Sequence, residues 1–215
     1  MSVQQAYNMW ASQYDSNKNK TRDMEAVALR TVLAKISFKS CLEIGCGTGK
    51  NTVWLLEKAE KVLAVDLSEE MLSKAKEKVQ SAHVIFKQAD ITKHWQFATD
   101  TYDLISFSLV LEHISNLDHI FKEAAKVLHK GGYVYLGELH PFKQYQGTKA
   151  RFDTADGRHV VECYDHHLSD FIHAAKKYDL FVYDVDEYFD EDDRDGVPRI
   201  LSMVFRNQYI FRMIK

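Results

Sequence analysis

Leu42-Glu43-Ile44-Gly45-Cys46-Gly47-Thr48-Gly49 is the stretch whose reading decides the fold. An apolar run around Ser40–Gly45 reads as a strand. A helix-compatible run around Gly49–Ala59 follows it at once, with Val53, Leu55, Leu56 and Ala59 available to pack on a sheet. In open α/β sheets, a strand, a glycine-rich turn and a helix form a ligand-binding device beyond the carboxyl ends of the strands. Glycines let the backbone approach a ligand and adopt φ angles that other residues avoid. Three alternating glycines also weaken a turn, so a purely structural turn is the weaker of the two readings.

The spacing narrows the ligand. A dinucleotide site uses G-x-G-x-x-G, with a pyrophosphate at the helix N-terminus. Here the order is Gly45-x-Gly47-x-Gly49, and Lys50 follows. A P-loop is excluded as well, because it needs G-x-x-x-x-G-K-[ST] and Lys50 precedes Asn51. Glu43 would repel a pyrophosphate, whereas S-adenosylmethionine has no phosphate and carries a sulfonium and an α-ammonium. Asp66 ends the next apolar run, Lys61–Asp66, roughly 20 residues after the turn, where an acid can accept hydrogen bonds from both ribose hydroxyls. Asp90-Ile91 follows a third run, His83–Lys87. The acid there suits an adenine amino group and equally suits a solvated loop.

The surrounding pattern alternates strands and helices, as a parallel α/β sheet requires. Ser68 reads as an N-cap, with Glu69 and Glu70 favouring the helix dipole and Met71, Leu72, Ala75 and Val79 forming the inner face. Tyr102–Ser108 is a fourth strand. A helix over Asn116–His129 follows, with Gly131 at its C′ position, and then a fifth strand over Gly132–Glu138. Phe152–Tyr164 reads as a β-hairpin turning at Asp156-Gly157. A helix over Leu168–Tyr178 and strands over Leu180–Tyr188 and Arg199–Arg206 close the chain. Two helices, Val3–Tyr14 and Arg22–Ala34, precede the first strand.

The 215 residues suit one domain, and 46% apolar content suits a packed core. A net charge of -3 argues against DNA, RNA or an anionic membrane as partner, short of a local basic patch. Cys41, Cys46 and Cys163 are odd in number and contain no C-x-x-C, which suggests neither a disulfide framework nor a zinc knuckle. A reduced, cytoplasmic setting is expected. The first residues lack the apolar region of a signal peptide, and no apolar stretch approaches the roughly 20 residues of a membrane span.

Taken together, Leu42–Gly49, Val65-Asp66-Leu67-Ser68 with Met71-Leu72, Tyr102-Asp103-Leu104-Ile105 with Leu111-Glu112-His113-Ile114, and Val127-Leu128 with Gly131-Gly132 resemble the successive motifs of class I S-adenosylmethionine-dependent methyltransferases. The resemblance runs from about Ser40 to Glu138. The opening, Ala6-Tyr7-Asn8-Met9-Trp10-Ala11-Ser12-Gln13-Tyr14-Asp15, resembles the N-terminal helix of the ubiquinone- and menaquinone-biosynthesis-like branch, which folds over the cofactor. The resemblance implies a Rossmann-like α/β fold: a seven-stranded, mostly parallel sheet with its last strand antiparallel and helices on both faces. Residues 1–36 would form a helical lid, and residues 143–167 a hairpin insertion after the fifth strand.

It also implies a cofactor set. Glu43, Gly45, Cys46, Gly47 and Ser108 would lie on the methionine side under Tyr14. Asp66 would hold the ribose, with Leu67 against the adenine and Met71 nearby, and Asp90 and Ile91 would hold the adenine. His113 belongs to this set or starts a helix.

The methyl acceptor is expected beyond the fourth and fifth strands. His140, just past the fifth strand, is the leading base because histidine titrates in the useful range, against the alternative of a backbone-satisfied loop residue. His166 and His167 are candidates for the same pocket. No metal is expected, since adjacent histidines in one chain usually point apart. Arg151 could grip a substrate carboxylate bidentately, or could be an exposed hairpin charge. The acidic stretch Asp184–Asp195 lacks the spacing of a calcium loop and reads as a solvated edge. A small-molecule substrate and a monomer or homodimer are expected. The alternatives are a tRNA or protein-carboxylate methyltransferase and a non-catalytic cofactor-binding protein. A nicotinamide dehydrogenase is disfavoured by the turn spacing.

Overall fold

Strand β1 (Ser40–Ile44) is buried at all five positions because its neighbours are strands on both sides and helices on both faces. The computed structural model describes residues 1–154 and 157–207. Around β1 lie β2 (Lys61–Asp66), β3 (Val84–Gln88), β4 (Tyr102–Ser108), β5 (Leu128–Leu139), β8 (Leu180–Tyr188) and β9 (Ile200–Asn207), in the order β3-β2-β1-β4-β5-β9-β8. The first five strands pair in parallel, and β9 runs antiparallel to both β5 and β8. This is the Rossmann-like arrangement that the motifs imply.

Alternate side chains of each strand enter opposite layers, as the two-residue period of a strand demands. Leu42, Ile44, Leu63, Val65, Ile105 and Phe107 face the helices α5 (Leu117–Val127) and α7 (Leu168–Lys176), through Ile120, Phe121, Ala124, Phe171 and Ala175. Cys41, Val62, Ala64 and Leu104 face α2 (Lys20–Leu33), α3 (Lys50–Lys58) and α4 (Glu69–Lys78), through Leu29, Leu33, Leu55 and Leu72. Each fully buried leucine or isoleucine contributes roughly 1.5–3 kcal/mol, so the sheet ends that carry the loops are held rigidly.

A third cluster builds the lid. Helix α1 (Val3–Trp10) sets Ala6, Trp10 and Ala11 against Met71 of α4 and against Phe152 and Val161 of the hairpin segment. The hairpin strands are β6 (Arg151–Thr154) and β7 (Gly157–Val160), paired antiparallel. Trp10 stacks on Phe152 with ring centroids 5.2 Å apart. Polar ties fix the lid to the loops below: Gln4 Nε2 donates to the Leu67 carbonyl at 3.1 Å, and Ser68 Oγ donates to Asn8 Oδ1 at 2.6 Å. Beyond α1, Asp15 accepts from Thr48 Oγ1 at 2.7 Å and pairs with Lys78 at 2.6 Å.

Local departures from the sequence reading have physical causes. The first helix stops at Trp10, four residues short of Tyr14, and gives way to turns that bend the chain over the glycine turn. Helix α5 ends at Val127 rather than His129, so Gly131 is no helix cap. Its φ of 76° belongs to an irregularity inside β5, where pairing jumps from Tyr102–Leu128 to Leu104–Tyr133. A short helix α6 (Pro141–Tyr145) replaces the expected loop, started by Pro141, whose missing N–H costs nothing at that position. The predicted hairpin turn includes Asp156, which lies outside the described residues. Among the described residues, no helix is long and apolar enough to cross a membrane.

Candidate functional site

A cavity of about 260 Å³ lies past the carboxyl ends of β1, β2 and β4. Its floor is the glycine turn. Gly45 and Gly47 have φ of 69° and 53°, the left-handed region that side chains avoid. A Cβ on Gly45 would sit 2.2 Å from Val110 Cγ2, so this glycine is required by packing, whereas a Cβ on Gly47 would meet no protein atom within 4 Å. Gly47 therefore faces open space on the cavity wall.

Asp66 closes one side. Its Oδ2 accepts the Gly47 N–H and its Oδ1 the Ser68 N–H, each at 2.8 Å. Every carboxylate oxygen has a second lone pair, so both remain able to accept a hydroxyl. Burial raises the carboxyl above its ordinary pKa despite these N–H donors. Asp90 binds Thr92 through Oδ1 alone, at 2.9 Å from its N and 2.6 Å from its Oγ1, which leaves Oδ2 for an exocyclic amine. Leu67, Met71, Ile91, Ser108 and His113 also line this cavity, and Val3, Tyr7 and Tyr14 of the lid segment cover it.

Glu43 and Cys46 do not line that cavity but a small adjoining one, which they share with Tyr14, Ser108, Glu25 and Asn51. Thr52 Oγ1 donates to Glu43 Oε2 at 2.5 Å. Burial pushes the Glu43 carboxyl up to about 8, and that of Glu25 to about 7. Asn51 Nδ2 donates to Glu25 Oε2 at 3.0 Å and to Ser108 Oγ at 3.3 Å, while Asn51 Oδ1 is buried without a partner among the described residues. An orphaned acceptor sharing a cavity with two acids is chemistry that suits an α-ammonium, and the ribose- and adenine-type acceptors Asp66 and Asp90 line the adjoining cavity. These residues therefore fit S-adenosylmethionine.

A second cavity, of about 340 Å³, shares the walls Tyr7, Tyr14 and Leu109 with the first. Lys18, Lys149, Arg151 and Arg199 line it, together with the buried acid Glu112. Lys149 and Arg199 are paired with Asp165 and Asp190 at 2.5 Å. Leu109 adopts φ 57°, rare for its type, and its N–H donates to the Gly137 carbonyl at 2.8 Å. Glu138 accepts from the next two N–H groups, of Val110 and Leu111, at 3.1 and 2.9 Å, which fixes this partition between the cavities.

Three expected histidines do not reach these cavities. His140 is buried, with Nε2 on Glu187 Oε1 at 2.9 Å and Nδ1 accepting the Phe142 N–H at 3.2 Å, so it caps α6 and ties it to β8. Burial lowers its pKa, although Glu187 pulls the other way. With both nitrogens engaged it is not placed as a base. His166 is buried, with Nε2 against the carbonyls of Leu111 and Ile114 at 3.2 and 2.8 Å. His167 starts α7 and bonds the Tyr145 hydroxyl through Nδ1 at 2.6 Å. Arg151 does line the second cavity.

The sequence reading passed over Glu25, Asn51, Lys18, Glu112 and Tyr7. For Tyr7 a signal existed: Tyr7, Trp10 and Tyr14 fall at i, i+3 and i+7, the spacing of one helical face. Glu25 had none, because its place at the site comes from α2 crossing over the sheet.

Comparison with known proteins finds methyltransferases. Residues 42–136 match the family model described as a methyltransferase domain. The biotin biosynthesis bifunctional protein BioHC of Cellvibrio japonicus is 31% identical over 140 residues, 65% of this chain, which spans 27% of that relative's length. A solved structure from Listeria monocytogenes, assigned to the S-adenosylmethionine-dependent methyltransferases, superposes with TM-score 0.73 at 25% identity, covering 86% of this chain and 98% of that one. The N-methyltransferase NodS of Bradyrhizobium japonicum, solved with S-adenosyl-L-homocysteine, shares the fold with TM-score 0.72 at 18% identity, covering 96% and 99% of the two chains.

Proposed function

We propose that the chain is a class I S-adenosylmethionine-dependent methyltransferase and that it methylates a small-molecule acceptor at O, N or C by in-line displacement. The cofactor, when bound, supplies a methyl carbon already activated by its sulfonium. Asp66 and Asp90 orient its nucleoside, and Glu43, Glu25 and Asn51 Oδ1 receive its amino-acid end. The lid is α1 with the turns after it, and it excludes water; α2, expected to share in it, packs on the sheet instead.

One observation carries the acceptor reading: the second cavity meets the first at Tyr7, Tyr14 and Leu109. Its 340 Å³ lies in the range of small-molecule sites. The Trp10–Phe152 stack closes lid against hairpin beside it, which disfavours a tRNA or folded protein at this entrance. Trp10 Nε1 is buried without a partner among the described residues, and Trp10 lines this cavity, so an acceptor oxygen would satisfy it. Arg151 and Lys18 stand at the same cavity with no carboxylate partner among the described residues, and we assign them to an anionic part of the acceptor.

The test has two stages. Calorimetry should show S-adenosylmethionine binding, and no binding at millimolar ligand would refute the reading. A metabolite-library screen for S-adenosylhomocysteine formation then identifies the acceptor. The variants R151Q and K18Q should raise KM for it without altering cofactor affinity.

A further inference from the structure

Tyr7 stands where the two cavities meet, and its hydroxyl lies 2.8 Å from His113 Nε2. The other nitrogen, His113 Nδ1, lies 2.7 Å from the Glu162 carbonyl oxygen. A carbonyl only accepts, so Nδ1 carries the hydrogen. In neutral His113 the Nε2 lone pair is then bare, and the Tyr7 hydroxyl donates to it. Glu112 Oε1 stands 3.8 Å from that same nitrogen and offers a countercharge to an imidazolium. Both His113 and Glu112 belong to the turn after β4 that the Glu138 carboxyl fixes. Carbonyl, histidine, tyrosine and acceptor cavity thus form one directed hydrogen-bond line, with a carboxyl beside its charge-bearing member.

Resting on the methyltransferase reading above, we propose that Tyr7 and His113 form a proton relay, and that the acceptor is consequently an alcohol, phenol or amine, whose nucleophile must lose a proton, rather than a carboxylate already ionised. The acceptor X–H passes its proton to the Tyr7 oxygen as the Tyr7 proton moves to His113 Nε2. The pair freed on X forms the X–CH₃ bond while the C–S pair stays on sulfur. The products are methylated acceptor, S-adenosylhomocysteine and a protonated His113, which returns its proton to solvent through Tyr7. Tyr7 touches the acceptor and is the catalytic residue. His113 acts through it and is a positioning residue that stores the proton. Burial holds the Tyr7 hydroxyl well above its ordinary pKa, so it shuttles a proton instead of resting as phenolate.

The experiment begins without a substrate. Nitrogen-15 spectroscopy of the histidine side chains, with His113 assigned by its loss in H113Q, should show His113 as the Nδ1–H tautomer. An Nε2–H tautomer would overturn the relay, because Tyr7 would then be the acceptor of that bond. Next, a panel of alcohols, phenols, amines and carboxylates is assayed for S-adenosylhomocysteine formation, with cofactor binding measured separately. Y7F and H113Q should lower kcat about 10²- to 10⁴-fold, the scale of general-base catalysis, a larger loss than the one each causes in cofactor affinity as a residue of the cofactor cavity wall. Turnover confined to carboxylates would overturn the relay. So would a Y7F variant that keeps kcat and loses cofactor affinity, since Tyr7 would then be only a latch for the lid. Failure of the wild-type chain to bind S-adenosylmethionine would instead overturn the methyltransferase reading, an outcome read before any turnover is measured.

Discussion

Replacing Gly45 with alanine separates what the glycine turn does for the fold from what it does for the ligand. The residue sits at φ 69°, and a left-handed conformation costs a non-glycine residue roughly 1–2 kcal/mol. The new Cβ would lie 2.2 Å from Val110 Cγ2, and overpacking of this kind costs roughly 1–3 kcal/mol. The sum, about 2–5 kcal/mol, corresponds to a Tm decrease of roughly 4–20 °C in a chain of this size. Urea unfolding followed by circular dichroism measures it directly. The steric share is isolated by V110A: in that background, G45A should cost about 1–3 kcal/mol less than in the wild type. Gly47 provides the contrast. At φ 53° with no neighbour within 4 Å, G47A should cost only the backbone share in stability while its Cβ obstructs the cofactor. If G45A costs less than about 1 kcal/mol, or if G45A and V110A are additive, the close approach of Val110 to the turn is not what demands glycine there.

Three further outcomes are expected. D66A should weaken S-adenosylmethionine binding by about 1–3 kcal/mol, the scale for losing hydrogen bonds to a charged group, and wild-type affinity by calorimetry would remove Asp66 from the ribose site. Because burial raises the Glu43 carboxyl to about 8, the folded protein keeps a proton that the unfolded chain releases above the ordinary carboxylate range, so this group's contribution falls as pH rises from there to about 8. E43Q should lose that dependence, gaining stability relative to wild type at pH 8 but not at pH 5; parallel Tm curves across that range would contradict the burial argument. H140Q should cost about 1 kcal/mol of stability, the scale of an N-cap, and leave cofactor affinity and turnover unchanged; a turnover loss exceeding tenfold would restore His140 as a base.

The half of the site proposed for the cofactor is the easier to read from sequence because each part is local to one strand end. Asp66 ends β2, Gly45 and Gly47 follow β1 and Asp90 follows β3, and parallel strands bring such ends to one edge of the sheet without further information. The methionine end was half legible: Glu43 precedes the turn, but Glu25 and Asn51 meet through a contact between α2 and α3 that no periodicity encodes. The acceptor side was least legible. His140 read as a base because histidine in a loop after β5 has the right chemistry. Its partner Glu187 stands 47 residues away on β8, and only the antiparallel return of β8 and β9 brings them together. Gly131 misled for a related reason, since a left-handed glycine serves a strand irregularity as well as a helix end.

The shared wall of Tyr7, Tyr14 and Leu109 has a kinetic consequence. Two of its three residues belong to the lid segment, and that segment also roofs the first cavity. An acceptor seated in the second cavity therefore pins the roof shut over whatever occupies the first. Under the proposed function, entry is expected to be sequential, nucleoside before acceptor, with departure in reverse. In that reading the spent cofactor leaves last, and its residence time, set by how often the Asp15–Thr48 and Asn8–Ser68 ties let go, is the expected ceiling on throughput.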